Sequence, residues 1–194
     1  LYPDLRAAFG NNLKSYYMHY ISSGKAEGRK ATGVNTLQKP VTTYNGIDYS
    51  AVYDYNYYLK KYSDLAKIYT NDDIGLLAHF VNCGMSEGRQ AKDSFDVFSY
   101  RNQYQDLRLA FGKDLKSYYF HYMNSGKKEG RTAAGVKVLQ NPVTIYNGTD
   151  YSAVYDYNYY NSKYSDLKSA FKGDDIDLLV HFVNNGMKEG RQAS

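Results

Sequence analysis

Residues 53–91 read YDYNYYLKKYSDLAKIYTNDDIGLLAHFVNCGMSEGRQA, and their punctuation outlines a small helical unit. Asp54 follows an aromatic and precedes a helix-length stretch, as an N-cap with its hydrophobic neighbour outside would. A first helix should run to Tyr62 of the motif YxDL, and a second, about two turns long, should begin at Asp64. Asn71-Asp72-Asp73 supply capping and favourable charge to a third helix. That helix carries His79 and should end at Gly84, where a left-handed C-cap asks for a residue without a β-carbon. Each unit is thus expected to be three short helices in about forty residues, the size of one brick in a repeat protein.

The pattern recurs. YxDL, then a His fifteen residues after its Asp inside HxxxxGxxEGR, occurs at Tyr2-Asp4-His19-Gly24-Glu27-Arg29, Tyr62-Asp64-His79-Gly84-Glu87-Arg89, Tyr104-Asp106-His121-Gly126-Glu129-Arg131 and Tyr164-Asp166-His181-Gly186-Glu189-Arg191. Successive Asp positions lie 60, 42 and 60 residues apart, so two types of unit alternate as A-B-A-B. At a larger scale residues 1–92 match residues 103–194 at a constant offset of 102, without a gap, with 63 of 92 positions identical. The expected fold class is mainly α, tandem three-helix units with a small β-hairpin between A and B. The first A-B module covers 1–92 (A unit 1–33, hairpin linker 34–52, B unit 53–92). The second covers 93–194 (A unit 93–134, linker 135–152, B unit 153–194).

The hairpin is read from Val41 to Ser50 and from Val143 to Ser152, where Asn45-Gly46 and Asn147-Gly148 sit between β-formers and both turn residues must accept positive φ. Pro40 and Pro142 fit the entrance to such strands. The B-to-A junction, Ala91-Lys92-Asp93-Ser94, is short, so the units flanking it should pack closely. The first A unit starts without the helix that corresponds to Phe95–Asn102, as it would if more copies precede it, and an exposed apolar face at Leu5, Ala8 and Phe9 should follow.

Composition narrows the function. Apolar residues make up 43% and charged residues 23%, which argues against disorder. A net charge of +4 spread over mixed charges forms no basic run of the nucleic-acid-binding kind, though it suits weak attraction to an anionic polymer. The single cysteine, Cys83, excludes an internal disulfide framework, and its counterparts Ser23, Ser125 and Asn185 mark an exposed polar position. No apolar run is long enough to span a membrane, and a targeting segment, if any, would lie upstream.

Four histidines at one repeated place raise a metal or general-base reading, but no unit holds a second His and no HExxH or CxxC is present. His19, His79, His121 and His181 are expected to bond a carboxylate or backbone carbonyl and fasten the third helix. Arg29, Arg89, Arg131 and Arg191 should reach back to Asp4, Asp64, Asp106 and Asp166, with Glu27, Glu87, Glu129 and Glu189 in the same structural network. The paired carboxylates Asp72-Asp73 and Asp174-Asp175 are accounted for by capping. No Ser-His-Asp arrangement, nucleophile elbow or phosphate-cradling loop appears. Nothing therefore points to an enzyme, a cofactor or a metal.

With 24 Tyr, 8 Phe and no Trp, the chain is rich in rings that pack while their hydroxyls reach outward. Most fall at helical spacing and belong to small cores. The candidates for ligand contact are those of the hairpin and its exit, Tyr44, Asp48, Tyr49 and Tyr53 with Tyr146, Asp150, Tyr151 and Tyr155. There rings and hydrogen-bonding groups alternate as a sugar site requires.

The strings from Ile47 to Tyr58, from Leu13 to Arg29 and Leu115 to Arg131, and from His79 to Ala91 and His181 to Ala193 resemble tandem repeats of secreted, multidomain proteins of Firmicutes, notably gut clostridia. There such repeats accompany cell-wall lytic domains, glycoside hydrolases and other surface modules. The resemblance implies a secreted or cell-surface, Gram-positive, non-catalytic accessory region. Its partners would be a cell-wall polymer or other glycan and an attached catalytic or surface domain. The competing expectation is a structural spacer or protein-interaction (adhesin) array without a glycan ligand.

Overall fold

A computed structural model describes residues 2–10, 12–33, 37 and 39–194; the start of the first linker, 34–36 and 38, lies outside the described residues. Among the described residues eleven seven-residue α-helices and two small hairpins follow one another: α1 (Pro3–Phe9), α2 (Leu13–His19), β1 (Thr43–Tyr44), β2 (Ile47–Asp48), α3 (Tyr55–Lys61), α4 (Ser63–Tyr69), α5 (Asp73–His79), α6 (Val97–Gln103), α7 (Gln105–Phe111), α8 (Leu115–His121), β3 (Ile145–Tyr146), β4 (Thr149–Asp150), α9 (Tyr157–Lys163), α10 (Ser165–Phe171) and α11 (Asp175–His181). The fold is mainly helical and built of repeated helix units. Helices this short gain little from propensity and depend on caps and packing. Asp54, Asp72, Asp156 and Asp174 supply caps, their carboxylates accepting from Tyr57, Gly75, Tyr159 and Asp177 N–H.

In both hairpins the strands pair antiparallel, Thr43 with Asp48 and Ile145 with Asp150. Asn45 and Gly46, like Asn147 and Gly148, take the positive φ that the tight turn demands.

The chain forms two compact bodies, Leu1–Val97 with Asp114–Gly135, and Phe98–Lys113 with Val136–Ser194. In the first body a chain of rings forms the core. Tyr53 and Tyr58 pack on Phe80 at 5.3 and 5.5 Å, Phe80 on Tyr119 at 5.7 Å, and Phe95 on Tyr119 and Tyr122 at 5.1 and 4.7 Å. In the second body Tyr155, Tyr160 and Phe182 repeat the first three of these rings over Leu178 and Leu179. Backbone bonds close the B units, Asp54 N–H donating to Ala91 C=O at 2.8 Å and Asp156 N–H to Ala193 C=O at 2.6 Å.

The end of the third helix differs from expectation. After each His the helix widens into a π-helical turn, Tyr20–Gly24, Phe80–Gly84, Tyr122–Gly126 and Phe182–Gly186, closed by five-residue bonds such as Met85 N–H to Phe80 C=O at 2.8 Å. Gly84 and Gly186 are therefore not left-handed caps. Each is glycine because the hydroxyl of Tyr58 or Tyr160 occupies the space a β-carbon would need. The left-handed residue is the glycine of the EGR motif, Gly88 at φ 71° and Gly190 at φ 68°.

The expected exposed face of the first A unit also needs correction. Ala8 is exposed and Phe9 half-buried, but Leu5 is buried. The open apolar residues lie instead on and just after α2, at Leu13, Tyr17, Met18 and Ile21.

Candidate functional site

The recurrent polar residues separate into two networks. In the first, the Arg of EGR lies between two carboxylates and over the tyrosine of YxDL. Arg89 donates from Nε to Glu87 at 2.5 Å and from Nη1 to Asp64 at 3.1 Å, with its guanidinium 4.8 Å from the Tyr62 ring centre. Arg29 does the same with Glu27, Asp4 and Tyr2, and Arg191 with Glu189, Asp166 and Tyr164. Arg131 donates to Glu129 at 2.7 Å. These bonds hold the Asp4, Asp64 and Asp166 carboxyls below the ordinary value. Carboxylates held in this way are weak general bases, because the arginine stabilises the charged form and lowers its affinity for a proton.

His79 and His181 belong to the second network, and the partner seen for each is a tyrosine hydroxyl rather than a carboxylate or backbone carbonyl. His79 Nδ1 lies 3.3 Å from the Tyr58 hydroxyl, and His181 Nδ1 lies 3.0 Å from that of Tyr160. The tyrosine comes from the first helix of the unit and the histidine from the third, so the bond pins one to the other. Burial, with Arg89 nearby, pushes the His79 pKa down. Burial raises that of the Tyr160 hydroxyl to about 12. Among the described residues no group of three His, Cys, Asp or Glu side chains is placed to hold a metal ion.

The hairpin residues do not form an open aromatic platform. Tyr49, Tyr53 and Tyr155 are buried, and Tyr44, Tyr146 and Tyr151 are half-buried. Asp48 and Asp150 are exposed, but each caps its own turn, accepting from Ser50 N–H at 2.9 Å and Ser152 N–H at 3.0 Å. The Ser152 bond helps hold the Asp150 carboxyl below its ordinary value.

Sequence reasoning missed the most deeply set polar group, an Arg–Asp clamp joining the YxDL helix, the linker and the third helix of the B unit. In the second body Arg108 and Asp175 are both fully buried. Arg108 donates from Nε to Asp175 at 3.1 Å, from Nη1 to the carbonyls of Arg101 and Asn102, and from Nη2 to those of Gln140 and Asn141. All five guanidinium donors are thereby used. Val143 N–H adds a 3.0 Å bond to Asp175. The first body repeats the clamp with Arg6, Asp73, the Lys39 carbonyl and Val41 N–H. The available signal was that, of each Asp-Asp pair, only the first is needed as a cap.

A groove of about 610 Å³ in the first body runs along α1 and α2, lined by Tyr2, Leu5, Leu13, Tyr16, His19 and Tyr20 among others. His19 faces it where His79 and His181 meet a tyrosine. A pocket of about 500 Å³ in the second body is ringed by Arg101, Lys137, Lys168 and Lys172, with Phe98, Tyr157 and Asn161 in its wall.

No family model, curated protein or solved structure matches this chain. Argument about function therefore rests on the geometry. No helix among the described residues is long and apolar enough to cross a membrane.

Proposed function

We propose that this chain is a non-catalytic, extracellular tandem-repeat module acting as a spacer and interaction array for an attached domain. The observation behind this reading is that the chemistry-bearing residues the repeats share are spent inside the units. The Arg, Asp and Glu residues tie helix ends, and His79 and His181 bond tyrosines. A side chain required identically by every brick serves the brick. Secretion and the Gram-positive setting rest on the resemblance of the repeats.

Attachment to a cell-wall polymer or other glycan is the second reading. It is favoured by the net charge of +4 and by the lysine-ringed pocket of the second body. Any such contact would gain from linkage of several weak sites.

The test is retention of the purified chain on peptidoglycan, teichoic acid and neutral polysaccharides, beside the double variant Tyr44→Ala with Tyr146→Ala. The spacer reading expects no retention on neutral polymers and no effect of the two substitutions. Retention on a neutral polymer that the substitutions abolish would return the binding role to the hairpin tyrosines and overturn it.

A further inference from the structure

The two copies differ at 29 of 92 aligned positions, and the differences are not scattered with respect to the pocket of the second body. Of its lining residues, Tyr157 and Leu139 match Tyr55 and Leu37, but Asn161 stands where the first copy has Leu59, Lys168 where it has Ala66, Lys172 where it has Thr70, and Lys137 where it has Asn35. The α10 region does not simply become more basic. Lys67 of the first copy is replaced by Ser169, so one charge leaves a position off the pocket while two arrive at 168 and 172, which share a face at a spacing of four.

The charges are available. Arg101 is neutralised by Asp174, its Nη2 2.5 Å from Oδ2, whereas Lys137, Lys168 and Lys172 are exposed and in no ion pair among the described residues. Asn161 Oδ1 is buried without a hydrogen-bond partner, a costly state that a ligand hydroxyl would relieve. Phe98, 49% exposed, gives the site an apolar flank.

We propose that this pocket binds an anionic polyol or saccharide, with Lys137, Lys168 and Lys172 taking a phosphate or carboxylate, Asn161 a hydroxyl, and Phe98 the C–H face. The site needs only the second body, and it stands whether the array's main partner is a protein or a polymer.

The test titrates the full 194-residue chain with a glycerol-phosphate polymer, a polyuronate and a neutral dextran, read by calorimetry and by amide shifts at Asn161 and Gly173. The two anionic arms distinguish phosphate from carboxylate as the recognised group. Binding of at least one of them is expected, without binding of dextran. It should weaken from about 0.1 M to about 1 M salt, over which the Debye length falls from ~10 to ~3 Å. The variant Asn161→Leu, Lys168→Ala, Lys172→Asn installs at 161 and 168 the residues that the first copy carries in the same helical positions, and at 172, where φ is 52°, a residue that accepts the left-handed backbone, so the fold is expected to persist. It should bind about tenfold more weakly. Lys60→Ala with Lys67→Ala, which removes two exposed charges that do not line the pocket, should bind nearly as the parent does. Failure of both anionic polymers to bind, or equal losses in the two variants, would overturn the proposal.

Discussion

The two B units share most of their sequence and all of their fasteners, yet their flanks differ. Met85 is fully buried and Met187 is 47% exposed; Val52 is fully buried and Val154 is 51% exposed. The Tyr–His bond and the Arg-carboxylate ties are present in both. In the first body α8 brings Tyr119 against Phe80 and its neighbour Phe120 against Tyr49. A unit therefore carries its own connectivity and borrows burial from what stacks on it, which is how repeat arrays divide their stability.

The comparison can be broken most severely at the clamp. Arg108→Ala leaves Asp175 buried beside orphaned carbonyls, and removal of one partner of a buried pair costs about 3–5 kcal/mol. Arg6→Ala should cost less, because Arg6 retains 11% exposure and water can reach the gap. Denaturant unfolding of the two variants checks this, and equal losses would mean that burial does not set the clamp's worth. The flanks come next. Met85→Ala should cost about 2–5 kcal/mol, as buried Met deletions do. Met187→Ala, at a half-open site, should stay near the ~0.5 kcal/mol of a surface change. The contrast disappears if a stacked neighbour covers Met187 in solution.

Much of this architecture was legible in the sequence because it rests on local rules. Asp54 and Asp156 announced caps, Asn45-Gly46 announced a tight turn, and the recurrence of YxDL with EGR announced the ties of Arg29 to Asp4, Arg89 to Asp64 and Arg191 to Asp166. What escaped depends on which side chains meet across tens of residues. Arg6 and Asp73 are 67 residues apart, and nothing in either neighbourhood names the other. The partner of His79 and His181 was misjudged because a tyrosine hydroxyl, unlike a carboxylate, both donates and accepts and so can meet either tautomer of the imidazole, and tyrosines are everywhere in this chain. The hairpin tyrosines looked like a sugar platform because composition does not distinguish a ring that faces water from one that fills a small core. The lysine-ringed pocket was hidden for another reason, since its basic residues come from three separate segments.

Gly84 offers a sharper cut through a single unit. A β-carbon there would collide with the Tyr58 hydroxyl, and Tyr58 is fully buried and cannot swing away. Gly84→Ala should cost about 1–3 kcal/mol, the usual price of overpacking. Tyr58→Phe alone loses its contact with His79, about 1 kcal/mol. In the double variant the offending oxygen is gone, so the cost should fall well short of the sum. Additive losses in thermal unfolding would show that Gly84 serves the π-helical turn itself.

The smallest effect is a titration. The neutral His79 imidazole can accept the Tyr58 proton at Nδ1, and burial, aided by Arg89, holds its pKa below the ordinary 6.5. The unfolded chain then takes up the proton first, so the stability owed to this site is complete above about 6.5 and is lost as pH falls through the folded value. Stability should decline from about pH 7 to about pH 5 in the parent and decline less in His79→Gln, because glutamine cannot be protonated in that range. A separate loss should set in below the ordinary carboxylate value of 3.8, where Asp64, held low by its hydrogen bond from Arg89, finally protonates. His79→Gln leaves that second loss intact, so urea midpoints measured across both windows separate the Tyr–His pin from the arginine ties. An unchanged slope near neutrality in the variant would assign that slope to other groups.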